Sequence, residues 1–184
     1  MRIIGGSLRG KNLASLSGRS IRPTTDRLRE SIFNIIAARV SNAMVLDLFA
    51  GTGALGIEAL SRHARAVVFI DKRRDAVAVI YRNLEMCRLL DRARVVLGDV
   101  TRGLDRIPMP RLGFDLVFMD PPYNRGFVQN GLNLLRRNPV LAPGHRLILE
   151  HSLQEPLPFG LEGYVLHDQR RYGKTLVSFL ECML

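Results

Sequence analysis

The chain has 184 residues, 47% of them hydrophobic, a size and composition typical of one globular domain. No apolar run approaches the ~20 residues that span a bilayer, and the glycines at positions 5 and 6 argue against a signal peptide. Cys87 and Cys182 are too few for a disulfide framework or a thiolate metal site. They indicate a reducing compartment, so we expect a cytoplasmic protein without a metal centre.

The net charge of +10 is unevenly distributed along the chain. Residues 1–42 hold eight basic side chains against two acidic ones. The basic residues are Arg2, Arg9, Lys11, Arg19, Arg22, Arg27, Arg29 and Arg39, and the acidic ones are Asp26 and Glu30. We therefore predict a basic extension, residues 1–42, that contacts a polyanion, followed by a folded domain, residues 43–184. A basic surface that only keeps the protein soluble is the alternative.

The first predicted helix lies within residues 22–40. Pro23 disfavours helix before it, and Thr24 or Thr25 is suited to cap the first turn. The apolar positions recur with helical spacing at Leu28, Ile32, Ile35 and Ile36. Arg27 and Arg29 are therefore expected to project elsewhere and to be available to a partner.

From residue 44 onward, apolar strands alternate with helical patterns, as in a parallel α/β sheet covered on both faces. The predicted strands cover residues 44–50, 66–71, 93–99, 114–120 and 146–151. The predicted helices cover residues 54–62, 73–90 and 126–137. In a doubly wound sheet of order 3-2-1-4-5, strands one and four are neighbours. From residue 164, two strands around Gly173 predict an antiparallel hairpin at the sheet edge.

The glycine loop GTGALG, residues 51–56, joins the first strand to a helix and matches the dinucleotide-binding fingerprint. Asp71, at the end of the second strand, lies where a ribose-binding acid is expected, so NAD is one candidate ligand. Asp47 would repel a pyrophosphate but attract the ammonium and sulfonium groups of S-adenosylmethionine. Asp99, after the third strand, is suited to accept a hydrogen bond from an adenine amino group. These acids favour S-adenosylmethionine, with helix capping as the alternative for Asp71 and Asp99.

The fourth strand ends in Asp120-Pro121-Pro122-Tyr123. Two prolines restrict the backbone and remove two N–H donors, which predicts a stiff ledge that presents the Asp120 carboxylate and free carbonyls as acceptors. Tyr123 offers a flat ring on which a base can stack. Two acceptors that grip the hydrogens of a base amine would aim its lone pair at a methyl donor. The ledge therefore favours methylation of an exocyclic amine over a turn that merely ends a strand.

Three further stretches carry a family resemblance. The combination of DPPY (120–123) with DLFAGTGALG (47–56) resembles amino-methyltransferases that act on nucleic acid. Within that class, RIIGGSLRGKNL (2–13), RPTTDRLRESIFNI (22–35) and RRYGKTLVSFLE (170–181) resemble the RsmD family of bacterial 16S ribosomal RNA guanine-N2 methyltransferases. The resemblance covers essentially the whole chain. Many members have Phe where this chain has Tyr123, and both rings stack.

The resemblance implies a Rossmann-like class I methyltransferase with a mostly parallel seven-stranded sheet. It implies a monomer that uses S-adenosylmethionine to methylate a guanine on the small ribosomal subunit or a late assembly particle. By the matching motifs, the cofactor would be held by Asp47, Phe49, Ala50, Gly51, Gly53, Asp71, Lys72, Asp99 and Val100. The guanine would be held by Asp120, Pro121, Pro122 and Tyr123. The RNA would be contacted by Arg2, Arg9, Lys11, Arg22, Thr24, Asp26, Arg27 and Arg29.

Two other functions share parts of this pattern. A DNA adenine-N6 methyltransferase also uses the ledge, but 184 residues leave no room for a separate target-recognition domain. A ribosome-assembly factor that binds RNA without catalysis would not require the intact ledge and acids. The basic pair Arg170 and Arg171, with Tyr172 and Lys174, either contacts RNA or forms a solvated turn, and the sequence favours neither.

Overall fold

A computed structural model describes residues 1–16, 26–104, 107–108, 110–138 and 140–183. The predicted cap residues Thr24 and Thr25 and the expected RNA contact Arg22 lie outside the described residues. No helix among the described residues combines the length and the apolar character that crossing a membrane requires.

Over these described residues, seven strands form one sheet in the order β3-β2-β1-β4-β5-β7-β6. The strands are β1 (Met44–Leu48), β2 (Ala66–Asp71), β3 (Ala93–Leu97), β4 (Phe114–Met119), β5 (Leu141–Ser152), β6 (Tyr164–Tyr172) and β7 (Thr175–Cys182). Strands β1 to β5 are parallel, which confirms the predicted 3-2-1-4-5 order. The C-terminal hairpin is also confirmed, with β7 antiparallel to both neighbours. Its second strand, β7, lies against β5, so that β6 forms the sheet edge.

The helices follow the predicted alternation. They are α1 (Asp26–Ile35), α2 (Ala37–Val40), α3 (Ala54–Ser61), α4 (Arg74–Cys87) and α5 (Phe127–Arg137). The predicted long first helix is divided because Ile36 leaves helical geometry. The helix predicted over residues 73–90 ends at Cys87, because Arg88 adopts a left-handed conformation. Strand β5 begins five residues earlier than predicted, at Leu141, across a register shift against β4.

Apolar clusters cover both faces of the sheet. On the side of α1, α3 and α4, the core includes Phe33, Phe69 and Phe118, each fully buried. On the side of α5, Leu46 and Val117 are fully buried. This two-sided burial explains why the parallel strands read as nearly continuous apolar runs.

The buried face of α1 differs from the predicted one. Its buried residues are Leu28, Arg29, Ile32 and Phe33, and Ile36 just beyond its end is also buried, whereas Ile35 is only partly covered. The prediction that Arg29 projects outward to a partner is therefore wrong, since its side chain is 1% exposed. The Arg29 guanidinium donates to the carbonyl of Arg2, at 2.6 Å, and to the carboxylate of Asp26, at 2.9 Å.

Residues 1–16, here called the N-terminal strap, pack on α3 and α4. Arg2 and Asn12 pair across the strap, and Ile3 and Leu13 are buried. The buried Glu58 carboxylate on α3 accepts hydrogen bonds from the amides of residues 4 and 5, at 2.8 and 2.7 Å. This part of the basic segment is thus an integral part of the folded core.

Gly56 permits the close approach of α3 to β2. A Cβ atom at this position would lie 2.3 Å from Cε1 of Phe69 and 2.8 Å from Cγ1 of Val67. Neither neighbour has room to move, because both are completely buried. The third glycine of the fingerprint therefore serves helix–strand packing.

We expect Gly56→Ala to lower the free energy of unfolding by about 1–3 kcal/mol or more, because the added methyl overpacks the helix–sheet contact. Urea denaturation monitored by circular dichroism measures the change. Gly98→Ala is the matched control, since its Cβ would meet its nearest neighbours at 3.6 and 3.7 Å, an ordinary contact distance. Equal stability of the two variants would contradict this account of Gly56.

Candidate active site

The candidate site lies at the carboxyl ends of neighbouring strands. In the parallel pair β1 and β4, Leu48 is opposite Met119. The next residues, Phe49 and Asp120, therefore leave the sheet side by side, one into the glycine loop and the other into the ledge. Asp71 ends β2, which adjoins β1 on its other side. The topology thus brings the three predicted elements to one end of the sheet.

The glycine loop is held in a defined conformation by its neighbours. Phe49, Gly51 and Gly53 all have left-handed φ angles, of 59°, 56° and 76°. This conformation is accessible to glycine but unfavourable for phenylalanine, so the surroundings of Phe49 must hold it there. The amide of Gly51 donates to Oδ2 of Asp71 at 2.8 Å, and the amide of Ala50 donates to the carbonyl of Ile70 at 2.9 Å.

Asp47 lies beneath the loop, 2% exposed, on the side of the sheet that faces α3. Its Oδ2 accepts the backbone N–H of Gly56 at 2.9 Å, which ties β1 to the first turn of α3. Burial raises the pKa of Asp47 to about 8, although the Gly56 hydrogen bond opposes the rise; the negative charge of Asp71 adds to it. The described contact is therefore structural, and direct contact between Asp47 and a cofactor stays a prediction.

Asn83 on α4 connects the glycine loop to the N-terminal strap. Its Oδ1 accepts the amide of Ala14 at 2.7 Å, and its Nδ2 donates to the carbonyls of Ala14 and of Thr52, at 3.2 and 2.9 Å. The Asn83 side chain is completely buried. One amide group thus fixes both the strap and the loop residue between Gly51 and Gly53. The sequence held a signal for it, a polar residue beside the apolar positions Ile80, Leu84 and Cys87 of α4.

A cavity of about 390 Å³ opens beside the loop. It begins at Phe49 and Val100 and continues along α5, where Phe127 packs against Phe49 with ring centroids 5.5 Å apart. Asp99, which precedes Val100 in the chain, accepts hydrogen bonds from the hydroxyl and the amide of Thr101, at 2.7 and 3.0 Å. The hydroxyl hydrogen bond is the largest cause that lowers the pKa of Asp99, and the nearby cation of Lys72 contributes. The cavity therefore combines apolar lining at Phe49, Val100 and Phe127 with polar side chains of α5, and its volume is within the range of small-ligand sites. The ionised Asp99 adjoins the lining residue Val100 in the chain.

The ledge leaves β4 beside the point where the glycine loop leaves β1. Pro121 is buried, Pro122 is exposed, and Asp120 and Tyr123 are partly buried. The Tyr123 hydroxyl donates to Oε1 of Glu150 on β5 and lies 3.4 Å from Oγ1 of Thr175 on β7. Burial, followed by the negative charges of Glu150 and Asp120, raises the pKa of Tyr123 above its usual range, so the phenol stays protonated and remains a donor.

Sequence reasoning treated Tyr123 only as a ring and did not find Glu150. Glu150 is 7% exposed and interrupts the apolar run of β5. A carboxylate inside a central strand requires a partner, because its unpaired burial is costly. That position in RLILEH was the available signal.

The predicted RNA-contacting residues lie in two places. Arg2, Asp26 and Arg27 lie on or beside α1, whereas Arg9 and Lys11 lie near the ends of α3 and α4. Arg2 is exposed, 3.4 Å from Asp26, which also binds Arg29. Arg9 and Lys11 lie near the carboxyl-terminal ends of α3 and α4. The amide of Leu8, next to Arg9, donates to Oγ of Ser61 at the end of α3. Burial raises the pKa of Cys87 at the end of α4, although the charge of Lys11 opposes the rise. Arg27 is exposed on α1.

The fold and the arrangement of the site define a class I methyltransferase fold of the Rossmann-like type. The profile of the family described as "Conserved hypothetical protein 95" matches residues 1–181. The ribosomal RNA small subunit methyltransferase D of Escherichia coli K12 is 37% identical over 175 residues, 95% of this chain and 86% of that protein. YlbH of Bacillus subtilis strain 168 is 36% identical over 178 residues, 97% of each chain.

A solved structure of the Escherichia coli protein yhhF has a TM-score of 0.88 to this chain at 35% identity. The alignment covers 99% of this chain and 97% of that one. Together with the profile and the sequence relatives, this similarity shows that the chain belongs to the RsmD family of methyltransferases.

We expect the ligand-free protein to lose stability as the pH rises through about 8, since Asp47 titrates near 8 when folded against a usual 3.8. Its stabilising contribution is fully present below pH ~4 and is lost progressively up to the folded pKa, because over that interval the folded chain retains the proton that the unfolded chain has released. Each pKa unit is worth about 1.4 kcal/mol, so the total change is on the order of several kcal/mol.

Asp47→Asn keeps an oxygen acceptor for Gly56 and removes this titration. Urea unfolding between pH 5 and pH 8.5 should therefore show a much flatter pH dependence for the variant than for the native chain. An equally steep dependence in both proteins would contradict the assignment.

Proposed function

We propose that the protein transfers a methyl group from S-adenosylmethionine to the exocyclic N2 amine of a guanine in the 16S RNA of the small ribosomal subunit. The observation that carries the proposal is the parallel pairing of β1 with β4, which delivers the glycine loop and the ledge to one place. Membership of the RsmD family and similarity to the ribosomal RNA small subunit methyltransferase D of Escherichia coli support ribosomal RNA and the small subunit as the substrate.

The site residues fit S-adenosylmethionine. When bound, the cofactor supplies an electrophilic methyl group on a sulfonium. In the proposal, Asp71 accepts from the ribose hydroxyls, and Asp99 with Val100 binds the adenine at the rim of the cavity. The backbone of Ala50, Gly51 and Gly53 surrounds the remainder, with Asp47, Phe49 and Lys72 beside it. The glycines matter because a Cβ would restrict the left-handed backbone that the loop requires.

The ledge is proposed to hold the guanine. The Asp120 carboxylate and one carbonyl of the ledge, that of Pro121 or Pro122, accept the two hydrogens of the base amine, which directs the nitrogen lone pair towards the methyl group. The Tyr123 ring stacks on the base, and Glu150 holds that ring through the phenol hydroxyl. Alignment of two reactants supplies ~7–11 kcal/mol of a barrier in favourable cases, so no strong base is required.

Binding of the subunit is proposed to involve the basic N-terminal part of the chain. Exposed Arg2, Arg9 and Arg27 are suited to contact phosphates, Lys11 is partly covered, and Asp26 orients Arg2. The buried Arg29 supports this surface from within. In the proposal, residues 1–42 act as the RNA-contacting extension of a cytoplasmic monomer, and residues 43–184 form the catalytic domain.

The reaction is tested with labelled S-adenosylmethionine and small subunits from cells that lack the enzyme. After transfer, digestion of the RNA and mass spectrometry identify the methylated nucleoside. N2-methylguanosine is the expected product. N6-methyladenosine, or no transfer with tight RNA binding, would contradict the proposal and favour the DNA-type enzyme or the assembly factor.

We expect Asp120→Ala to lower kcat/KM by about 10²–10³-fold or more, the range for loss of one group aimed at a transition state. S-adenosylmethionine should still bind with native affinity in calorimetry, because the cofactor residues are untouched. Asp91→Ala, which removes an exposed carboxylate outside the site, is the control. Near-native turnover of Asp120→Ala would remove the proposed role of the ledge.

We expect Tyr123→Phe to raise the KM for subunits several-fold, because the ring is retained but its tether to Glu150 is lost. Tyr123→Ala should lower RNA affinity further, by ~1–3 kcal/mol, the value of base–aromatic stacking. Both are measured by steady-state kinetics and RNA titration. Identical behaviour of the Phe and Ala variants would show that the ring does not stack on the base.

A further inference from the structure

A second groove on the surface lies between α1 and the edge strand β6. It has a volume of about 480 Å³ and is lined by Arg27, Glu30, Ser31, Asn34, Arg170 and Tyr172 among others. The Ser31 and Tyr172 hydroxyls hydrogen-bond to each other across it. This bond fixes the distance between α1 and the hairpin, and we call the space the lateral groove.

The lateral groove adjoins the ledge. Thr175, the first residue of β7, lies 3.4 Å from the Tyr123 hydroxyl through its Oγ1. Thr175 is paired with Tyr172 across the hairpin and with Ser152 at the carboxyl end of β5. The turn between β6 and β7 therefore sits at the carboxyl end of the sheet, next to the ledge, and the groove extends from there towards α1.

The groove and its rim are basic. Among the described residues, two exposed cations, Arg27 and Arg170, line the groove against one acidic residue, Glu30, and exposed Lys174 follows in the adjoining turn. Asp168 pairs with Arg170 at 3.0 Å, but the Arg170 side chain is 57% exposed. An ion pair in such an exposed position contributes little, so Arg170 can exchange Asp168 for a phosphate at small cost.

We propose that the lateral groove holds the phosphate backbone of the single-stranded RNA next to the target guanine, with Arg27 and Arg170 contacting phosphates from opposite walls. A base on the ledge is covalently continuous with its neighbours, so the strand must leave past one side of the site. The lateral groove offers cations on that path. The inference rests on the proposed function and assigns the hairpin basic residues, which the sequence left open, to RNA binding.

The test compares two double variants of the full chain that remove the same charge. The groove variant, Arg27→Gln/Arg170→Gln, removes the two cations that line the groove. Arg82→Gln/Arg94→Gln removes two exposed cations from α4 and β3, at the opposite edge of the sheet. Thermal unfolding first establishes that both variants are folded. The probes are a labelled single-stranded RNA, titrated over a series of salt concentrations, and undermethylated small subunits.

For the groove variant, we expect the slope of log affinity against log salt to fall by about 1.4, since each phosphate contact of single-stranded RNA contributes about 0.7. The KM for subunits should rise about tenfold or more, with S-adenosylmethionine affinity unchanged. Arg27→Lys/Arg170→Lys, which keeps the charges, should restore most of the slope. The control variant should keep the native slope and KM.

Equal slopes and KM values for the groove and control variants would overturn the inference while leaving the proposed reaction intact. A groove variant that loses affinity for subunits but keeps the native slope on free RNA would also overturn it, because the groove would then contact a ribosomal protein. If the native chain transfers no methyl group and the slopes still differ, the groove binds RNA and the proposed reaction fails.

Discussion

The parallel pairing of β1 with β4 is the constraint on which the site depends. Leu48 and Met119 are opposite each other, so the next residue of each strand enters the same crevice. Neighbouring strands lie about 4.8 Å apart, and the two loops therefore start within reach of a single small ligand. Helices on both sides of the sheet bury the faces of the strands, and the loops of the site follow their carboxyl ends. Reaction chemistry can thus be supplied by short loops, because the sheet fixes their separation.

Buried polar side chains then hold each loop in place. Asp47 binds the first turn of α3, Asn83 binds the middle of the glycine loop, and Glu150 binds the ring of the ledge. Each of these side chains is less than 8% exposed. A buried hydrogen-bonding group is costly to leave unsatisfied, so these bonds confer a preference for one conformation beyond their net contribution to stability. Asp47, itself a predicted cofactor contact, is thus one of these buried groups, whereas Asn83 and Glu150 lie outside the predicted set.

Much of the fold followed from hydrophobic periodicity, because a parallel sheet needs uninterrupted apolar strands and its topology follows from the strand–helix alternation. The glycine spacing and the two prolines located the loop and the ledge for steric reasons that act locally. Asn83 and Glu150 were visible as polar residues within apolar patterns, but the residues with which they pair were not predictable. Nothing near Tyr123 indicates Glu150, which is 27 positions away, and nothing near Thr52 indicates Asn83. The burial of Arg29 was predictable in part, since Phe33 and Ile36 follow it at helical intervals, but its basic character suggested a surface role.

The position of β7 between β5 and β6 has a consequence for assembly of the molecule. Strand β6 is joined to the sheet through β7, so the hairpin completes the sheet by pairing β7 with β5. Until then, β5 presents a long unpaired backbone, which is a site for pairing with other chains. Pairing of β7 with β5 also brings Thr175 to Tyr123, so the base-binding end of the crevice depends on the C-terminal hairpin. The glycine loop, held by β1, β2 and α4, makes no such contact with the hairpin in the hydrogen bonds described above.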